Sequence, residues 1–318
     1  MPSPAYEVTH LSKVYRSPSV VANNDISFVV HPGEAFGLLG RNGAGKTTLV
    51  RQLVGLMAPT SGEVRLFGDD LHAMSATEVA RTAAYLPQGL PSLGELRVQE
   101  AVSWTGMLRG LGKRSAHVQA GDLLDKLDLG TVAGRQLRKL SGGQRRLVQI
   151  AMTLVGDLPV VILDEPTADI DPGLRKRIWQ MLAARAGQGA ALILVTHDVT
   201  EAEQVLERVA IVERGSIVAS GTPGELKARL SHRTRIEVVT AKDGPLDPSI
   251  LGRDLADSAI VRGRHISAWV PRDEALRRLE KLMSAVDMDE LEDVRLVTPT
   301  LEDVLLEEGR SLPEEELR

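Results

Sequence analysis

The 318-residue chain contains no cysteine. Disulfides, thiolate metal sites and cysteine nucleophiles are thereby excluded, and a reducing compartment is permitted. Aromatic residues are scarce, three each of Trp, Tyr and Phe, so aliphatic side chains must fill the core. Long apolar runs are missing as well. Those around residues 160–163 and 190–195 are the longest, far below the ~20 residues a membrane helix needs. A membrane role therefore requires a separate spanning chain. The first ten residues include Glu7 and no apolar stretch, unlike a secretory signal. Positive charge is not in excess: 38 Lys and Arg against 43 Asp and Glu give a net charge of −5. That balance argues against a nucleic-acid partner held by a global basic field.

What remains is ordinary globular composition, 43% hydrophobic and 25% charged, in a length that suggests about two domains. Residues 5–11 and 26–30 read as strands with Asn23-Asn24-Asp25 as turn chemistry between them. Residues 35–39 form a short apolar strand, and 63–67 another. Residues 95–140 alternate amphipathic helical stretches, 98–108 and 120–129, with glycine breaks, which reads as a helical insertion. Residues 160–163 and 191–195 are continuous apolar runs, the pattern of parallel strands buried on both faces. A helix over 174–186 between them gives a βαβ unit. Gly221-Thr222-Pro223-Gly224 marks the edge of the first unit. Beyond it lie strand candidates at 235–239, 259–262, 266–270 and 294–297. A helix is predicted over 273–286 with Leu276, Leu279, Leu282, Met283 and Val286 on one face. Another starts at Leu301, capped by Thr300 and Asp303. The expected fold is α/β, with residues 1–228 one domain (helical part about 90–140) and 229–318 a small α+β domain.

Three motifs carry chemistry. Gly40-Arg41-Asn42-Gly43-Ala44-Gly45-Lys46-Thr47 fits G-x-x-x-x-G-K-[ST] at each fixed position. Its glycines let successive N–H groups face a phosphate chain, and the following helix adds the positive end of its dipole. Lys46 is placed to reach the β- and γ-phosphates of ATP, and Thr47 to put a hydroxyl on Mg2+. Asp164 and Glu165 end the apolar run 160–163, at the strand end where open α/β sheets bind ligands. Asp164 suits Mg2+, held through water, and Glu165 suits a general base on the water attacking the γ-phosphate. Leu140-Ser141-Gly142-Gly143-Gln144 precedes a helix and offers a second anion cradle. One ATP does not need two cradles from one chain. Two chains arranged head to tail would use both, each cradle facing the other's phosphate loop.

Together the segments 40–48, 140–144 and 160–171 resemble the Walker A, signature, and Walker B plus D-loop motifs of the ABC (ATP-binding cassette) ATPases. The signature matches LSGGQ at all five positions. The resemblance spans residues 5–225 and implies a P-loop cassette with a mixed sheet and a helical subdomain. It implies ATP contacts from Gly40, Asn42, Gly43, Ala44, Gly45, Lys46, Thr47 and Thr48, and in trans from Ser141, Gly142, Gly143 and Gln144. It further implies that Tyr15 stacks on adenine and that Gln88 touches Mg2+ and a transmembrane partner. By the same resemblance Asp171 belongs to the D-loop, and His197 contacts the γ-phosphate beside the catalytic Glu165 and Lys46. Asp171 before Pro172 reads equally as a helix N-cap. Arg41 and Ile170 stand where Pro and Leu are frequent, neither carrying essential chemistry. The segment Thr298-Pro299-Thr300-Leu301-Glu302-Asp303-Val304-Leu305-Leu306-Glu307 is similar to the ending of ABC-2 exporter ATPases of the daunorubicin-resistance-like group, with Leu305 in place of Phe. The resemblance thus implies an exporter ATPase that dimerises with a second copy and sits on the inner membrane face through a separate permease. The alternatives are a soluble ABC ATPase switching a macromolecular complex, and an importer subunit.

Overall fold

The structure is a computed structural model, described for residues 3–89, 93–168, 170–196, 199, 203–241, 259–285 and 288–308. The chain divides into two compact units, residues 1–222 and 223–318.

The first unit holds two sheets. Strands β1 (Tyr6–Arg16) and β2 (Ser19–Val30) form a long antiparallel hairpin, and β4 (Ser61–Leu66) and β5 (Asp69–Asp70) extend it in the order β2-β1-β4-β5. The turn expected at residues 23–25 is not there. The chain reverses at Ser17-Pro18, and Asn23, Asn24 and Asp25 lie inside β2. Their turn chemistry serves a distortion of the ladder: the register shifts between Leu11 and Val14, and Asp25 adopts φ 52°.

The second sheet has the order β10-β9-β3-β8-β7-β6. Strands β6 (Ala83–Leu86), β7 (Val160–Asp164), β8 (Ala191–Thr196), β3 (Ala35–Leu39) and β9 (Arg208–Glu213) run parallel, and β10 (Ser216–Gly221) runs antiparallel along one edge. Every residue of β3, β7 and β8 is buried, which explains their unbroken apolar sequences. Helix α1 (Lys46–Leu53) packs Leu49, Val50 and Leu53 into the core formed by Leu38, Ile162, Ile193 and Val212. Phe28 stacks on Phe36 with ring centroids 5.2 Å apart, so two of the three phenylalanines fill one spot. Helix α2 (Ala76–Thr82) starts from a Ser75/Glu78 capping box.

The predicted helical insertion is α3 (Val98–Leu108) and α4 (Lys113–Lys126). The second begins seven residues before the expected start because its first turn is polar. Helices α5 (Gly142–Leu154) and α6 (Pro172–Gly187) follow. Among the described residues no helix is long and apolar enough to cross a membrane.

The second unit begins with helix α7 (Pro223–Ala228). Its sheet is antiparallel, ordered β12 (Ile260–Arg262), β13 (His265–Pro271), β11 (Arg233–Thr240), β14 (Leu291–Val297). Alternate residues Ile236, Val238, Ile266, Ala268 and Val270 pack with Ala275 and Leu282 of helix α8 (Ala275–Ala285). Leu276 and Met283, expected on the buried face, are exposed, and Val286 lies outside the described residues. Ala275, Leu279 and Leu282 suffice to cover a four-stranded sheet. Helix α9 (Leu301–Glu308) carries the expected cap: Thr300 N–H donates to Asp303 Oδ2 (2.8 Å), and Asp303 N–H donates to Thr300 Oγ1 (3.3 Å).

Candidate functional site

Parallel pairing aligns the C-terminal ends of β3, β6, β7 and β8. Leu39 pairs with Thr196, Asp164 with Val195, and Leu86 with Leu163. The segments that leave those ends are residues 40–45, the loop with Gln88, and Asp164-Glu165. This is the edge where parallel sheets place their ligands.

The loop at residues 40–45 is held from below. Gly45 caps α1 with φ 102°, and a Cβ there would lie 2.2 Å from the Ala22 carbonyl oxygen. Only glycine fits. The buried Asn23 amide donates to the Gly45 carbonyl (3.2 Å) and accepts from Gln52 Nε2 (2.7 Å) in the last turn of α1. From the β9–β10 turn, Gly215 N–H donates to the Ala44 carbonyl at 2.9 Å. Asn42 and Gly43 are exposed at the loop's rim.

Lys46 Nζ donates to the carbonyls of Gly40 (2.6 Å) and Arg41 (3.0 Å), folding the ammonium back over the loop. Thr47 Oγ1 lies 3.4 Å from Asp164 Oδ2, linking the loop to the end of β7. Burial lowers the Lys46 pKa, against the opposing pull of Glu165, Asp164 and Glu213. Burial likewise raises Asp164, with Glu165 adding to it and Lys46, Thr47 and Arg146 opposing. Both charged forms are disfavoured, so desolvation outweighs the attraction between them. A site with both charges poorly solvated is suited to a ligand that brings opposite charges to each.

Glu165 sits at φ 51°, an uncommon conformation for a non-glycine residue. Its N–H donates to the Val195 carbonyl (2.8 Å), and Thr196 Oγ1 donates to Glu165 Oε2 (3.0 Å). Tyr15 lies beside the loop, its Oη 3.5 Å from Thr48 Oγ1 and 3.3 Å from Met57 Sδ, with Lys13 Nζ 5.8 Å from the ring centroid. Gln88 is exposed beyond β6. Asp171 accepts from Leu174 N–H at 3.1 Å and is the N-cap of α6, with Pro172 in the first turn. Asp169 and His197 lie outside the described residues.

Ser141 and Gln144 form a reciprocal capping box at the start of α5, each bond 3.2 Å. Ser141 and Gly142 are exposed. Among the described residues, no hydrogen bond joins residues 140–144 to residues 40–48.

The sequence profile of the ABC transporter family matches residues 23–168. The daunorubicin resistance ATP-binding protein of Streptomyces coeruleorubidus is 35% identical over 276 residues, 86% of either chain. The chain belongs to the ABC transporter ATP-binding family. The doxorubicin resistance ATP-binding protein of Mycobacterium tuberculosis is 34% identical over 95% of this chain and 92% of its own. The Nod factor export ATP-binding protein I of Paraburkholderia xenovorans is 36% identical over 80% and 82%. A solved ATP-binding subunit of an ABC transporter superposes with TM-score 0.66 at 28% identity, over 71% of this chain and 93% of that one. A dimeric bacterial ABC transporter cassette shares the fold, with TM-score 0.64 at 23% identity over 68% and 98%. The protein is thus an ABC-family ATPase that binds ATP.

Three residues of this ABC cassette escaped sequence reasoning. Asn23 and Gln52 buttress the phosphate loop, and Arg146 joins α5 to the acids. Asn23 sits in what reads as a turn. Arg146 stands in an Arg145-Arg146 pair that no motif singles out. Its one cue is helical spacing: it lies four residues before the buried Ile150.

Proposed function

We propose that this chain powers an exporter: two copies close head to tail around two ATP molecules, and hydrolysis reopens them against a separate membrane-spanning permease. One observation carries the reading. The acids and the phosphate loop converge, while Ser141 and Gly142 of the signature are exposed, its side-chain bonds pair Ser141 with Gln144, and among the described residues no hydrogen bond joins residues 140–144 to residues 40–48. A second copy brings a phosphate loop to it.

In this reading the N–H groups of residues 40–48, Asn42 included, cradle the phosphates, and Tyr15 stacks on adenine. Lys46 exchanges the Gly40 and Arg41 carbonyls for phosphate oxygens. Glu165 orients the attacking water and takes its proton, with Thr196 holding one carboxylate oxygen. His197 contacts the γ-phosphate. Ser141, Gly142, Gly143 and Gln144 complete the partner copy's site, and Asp171 links the two sites.

The acids also fit Mg2+. Asp164 Oδ1 is buried without a hydrogen-bond partner, and Thr47 Oγ1 stands beside Oδ2. Hard oxygen donors of this kind suit the ion. Thr47, Gln88 and Asp164 would hold it. When bound, Mg2+ neutralises β- and γ-phosphate charge.

A groove of about 470 Å3, lined in part by Val54, Leu56, Met74, Val79, Tyr85 and Leu108, supports the permease reading. Leu56 and Leu108 on its rim are 69% and 79% exposed, apolar surface of the kind that marks an interaction site. Export follows the names of the relatives and the 298–307 segment. The unit 1–222 acts as the nucleotide-binding cassette and the unit 223–318 as an accessory domain, a division six residues before the one expected after 228. Affinity isolation of the tagged chain from detergent-solubilised membranes tests this. The expected result is a multi-span protein in stoichiometric amount; recovery only with a soluble assembly overturns the exporter reading.

A further inference from the structure

Arg146 lies five residues after Ser141 on the buried side of α5 and is 8% exposed. Its guanidinium reaches two other segments as well as its own helix. Nη1 donates to the Pro87 carbonyl (2.6 Å), next to Gln88, and to Gln149 Oε1 (3.2 Å). Nη2 donates to the carbonyls of Asp164 (2.5 Å) and Glu165 (2.7 Å). Gln149, on the same helix, donates from Nε2 to the Gly89 carbonyl at 3.2 Å. One rigid fork therefore binds the helix that begins with the signature, the loop that carries Gln88, and the main chain of both acids.

The Glu165 attachment matters most. That residue is held at φ 51° by its N–H on Val195 and by Arg146 on its carbonyl. A residue in a sparsely populated conformation keeps it only while its surroundings enforce it, so its two anchors set where its side chain is carried. A guanidinium presents donors in fixed planar directions, whereas an ammonium is a point donor that cannot serve all these acceptors together.

We propose that Arg146 is a positioning residue that couples the signature helix and the Gln88 loop to the backbone of Glu165, so that movement of either one aligns or misaligns the catalytic carboxylate. This rests on the role given to Glu165 above. The coupling makes hydrolysis conditional on what α5 and the Gln88 loop contact.

The test measures ATP turnover, ATP affinity and thermal unfolding of the full-length chain carrying Arg146→Lys. Arg185→Lys is the control, since Arg185 donates to the Leu158 carbonyl (2.9 Å) from α6, away from the site. Expected for Arg146→Lys is a fall in kcat of at least tenfold, with KM and ATP affinity within threefold and a melting temperature no lower than that of Arg185→Lys. Arg185→Lys should keep kcat within twofold. A kcat within twofold for Arg146→Lys overturns the proposal. So does a parallel loss of affinity and turnover in a protein that still folds. If Arg146→Lys does not fold, Gln149→Leu cuts the second tie to the loop. A threefold to tenfold loss of kcat at unchanged affinity supports the coupling, and unchanged kcat refutes it. Glu165→Gln run alongside separates the two ideas: normal turnover there removes the role of Glu165, whereas a dead Glu165→Gln with a normal Arg146→Lys removes only the coupling.

Discussion

Replacing Asn23 with Ala tests how the phosphate loop is held. The side chain is fully buried and makes two hydrogen bonds, to the Gly45 carbonyl and from Gln52 Nε2. Truncation removes both, while the Gly45 carbonyl keeps the Leu49 N–H (3.0 Å) and Gln52 Nε2 keeps the Thr48 carbonyl (3.3 Å). Each net bond is worth about 1 kcal/mol, so the loss should be roughly 1–2 kcal/mol. In a unit of this size each kcal/mol moves the melting temperature by ~2–4 °C, which gives a drop of ~2–8 °C. ATP affinity should fall about fivefold, the equivalent of ~1 kcal/mol, because the Gly45 peptide loses one anchor. Differential scanning fluorimetry and calorimetric titration with ATP read the two effects. Asn23→Ala and Gln52→Ala should be non-additive, since each removes the same bond. A melting temperature within 1 °C of the parent, with unchanged affinity, would refute the claim that Asn23 supports the loop.

Other outcomes follow from the same geometry. Lys46→Ala should nearly abolish ATP turnover, because the triphosphate loses its principal point charge; normal activity would end the phosphate-loop assignment. Tyr15→Ala should weaken ATP binding by ~1–3 kcal/mol, the size of one base–aromatic stack, with equal affinity showing a purely structural tyrosine. Asp164→Asn should abolish Mg-dependent turnover yet stabilise the nucleotide-free protein near neutral pH. Burial and Glu165 raise the Asp164 pKa in the folded state above its ordinary 3.8, so ionisation removes stability as pH rises through that raised value. The stabilisation should fade as pH falls toward 4, and a constant difference across that range would contradict it.

Much of the site was legible because its motifs are local. The glycines of 40–45, the acids after 160–163 and the Ser141/Gln144 box each need only a few adjacent residues, and the structure puts the first two at one sheet edge. What was not legible depends on distant chain. Asn23-Asn24-Asp25 has turn composition, but pairing of β2 with β1 on either side converts it to an irregular strand, freeing Asn23 to reach Gly45. Arg146 has no carboxylate at helical spacing that would announce its burial; its acceptors are carbonyls 18, 19 and 59 residues away. The left-handed Glu165 leaves no mark in composition. In the second unit, alternation located β11 and β13 well, since one face of an antiparallel sheet is buried. Helix α8 was read with too wide an apolar face, because spacing alone does not say how many turns a narrow sheet can cover.

The central claim is that ATP holds two copies together through residues 140–144 of one and the phosphate loop of the other. Static light scattering of Glu165→Gln, with and without Mg-ATP, tests it most directly, alongside the same protein carrying Gly142→Asp. Gly142 opens onto free space, where an added Cβ would meet nothing within 4 Å, and an acid in the first turn of α5 favours the helix. The single chain therefore tolerates the change. Glu165→Gln should bind ATP, hydrolyse it very slowly and double in mass when Mg-ATP is added. With Gly142→Asp, a carboxylate would face the γ-phosphate across a poorly screened gap. That protein should stay monomeric in Mg-ATP while still binding nucleotide. A doubly substituted protein that dimerises on ATP would show that residues 140–144 do not face the nucleotide, and the head-to-tail mechanism would fall.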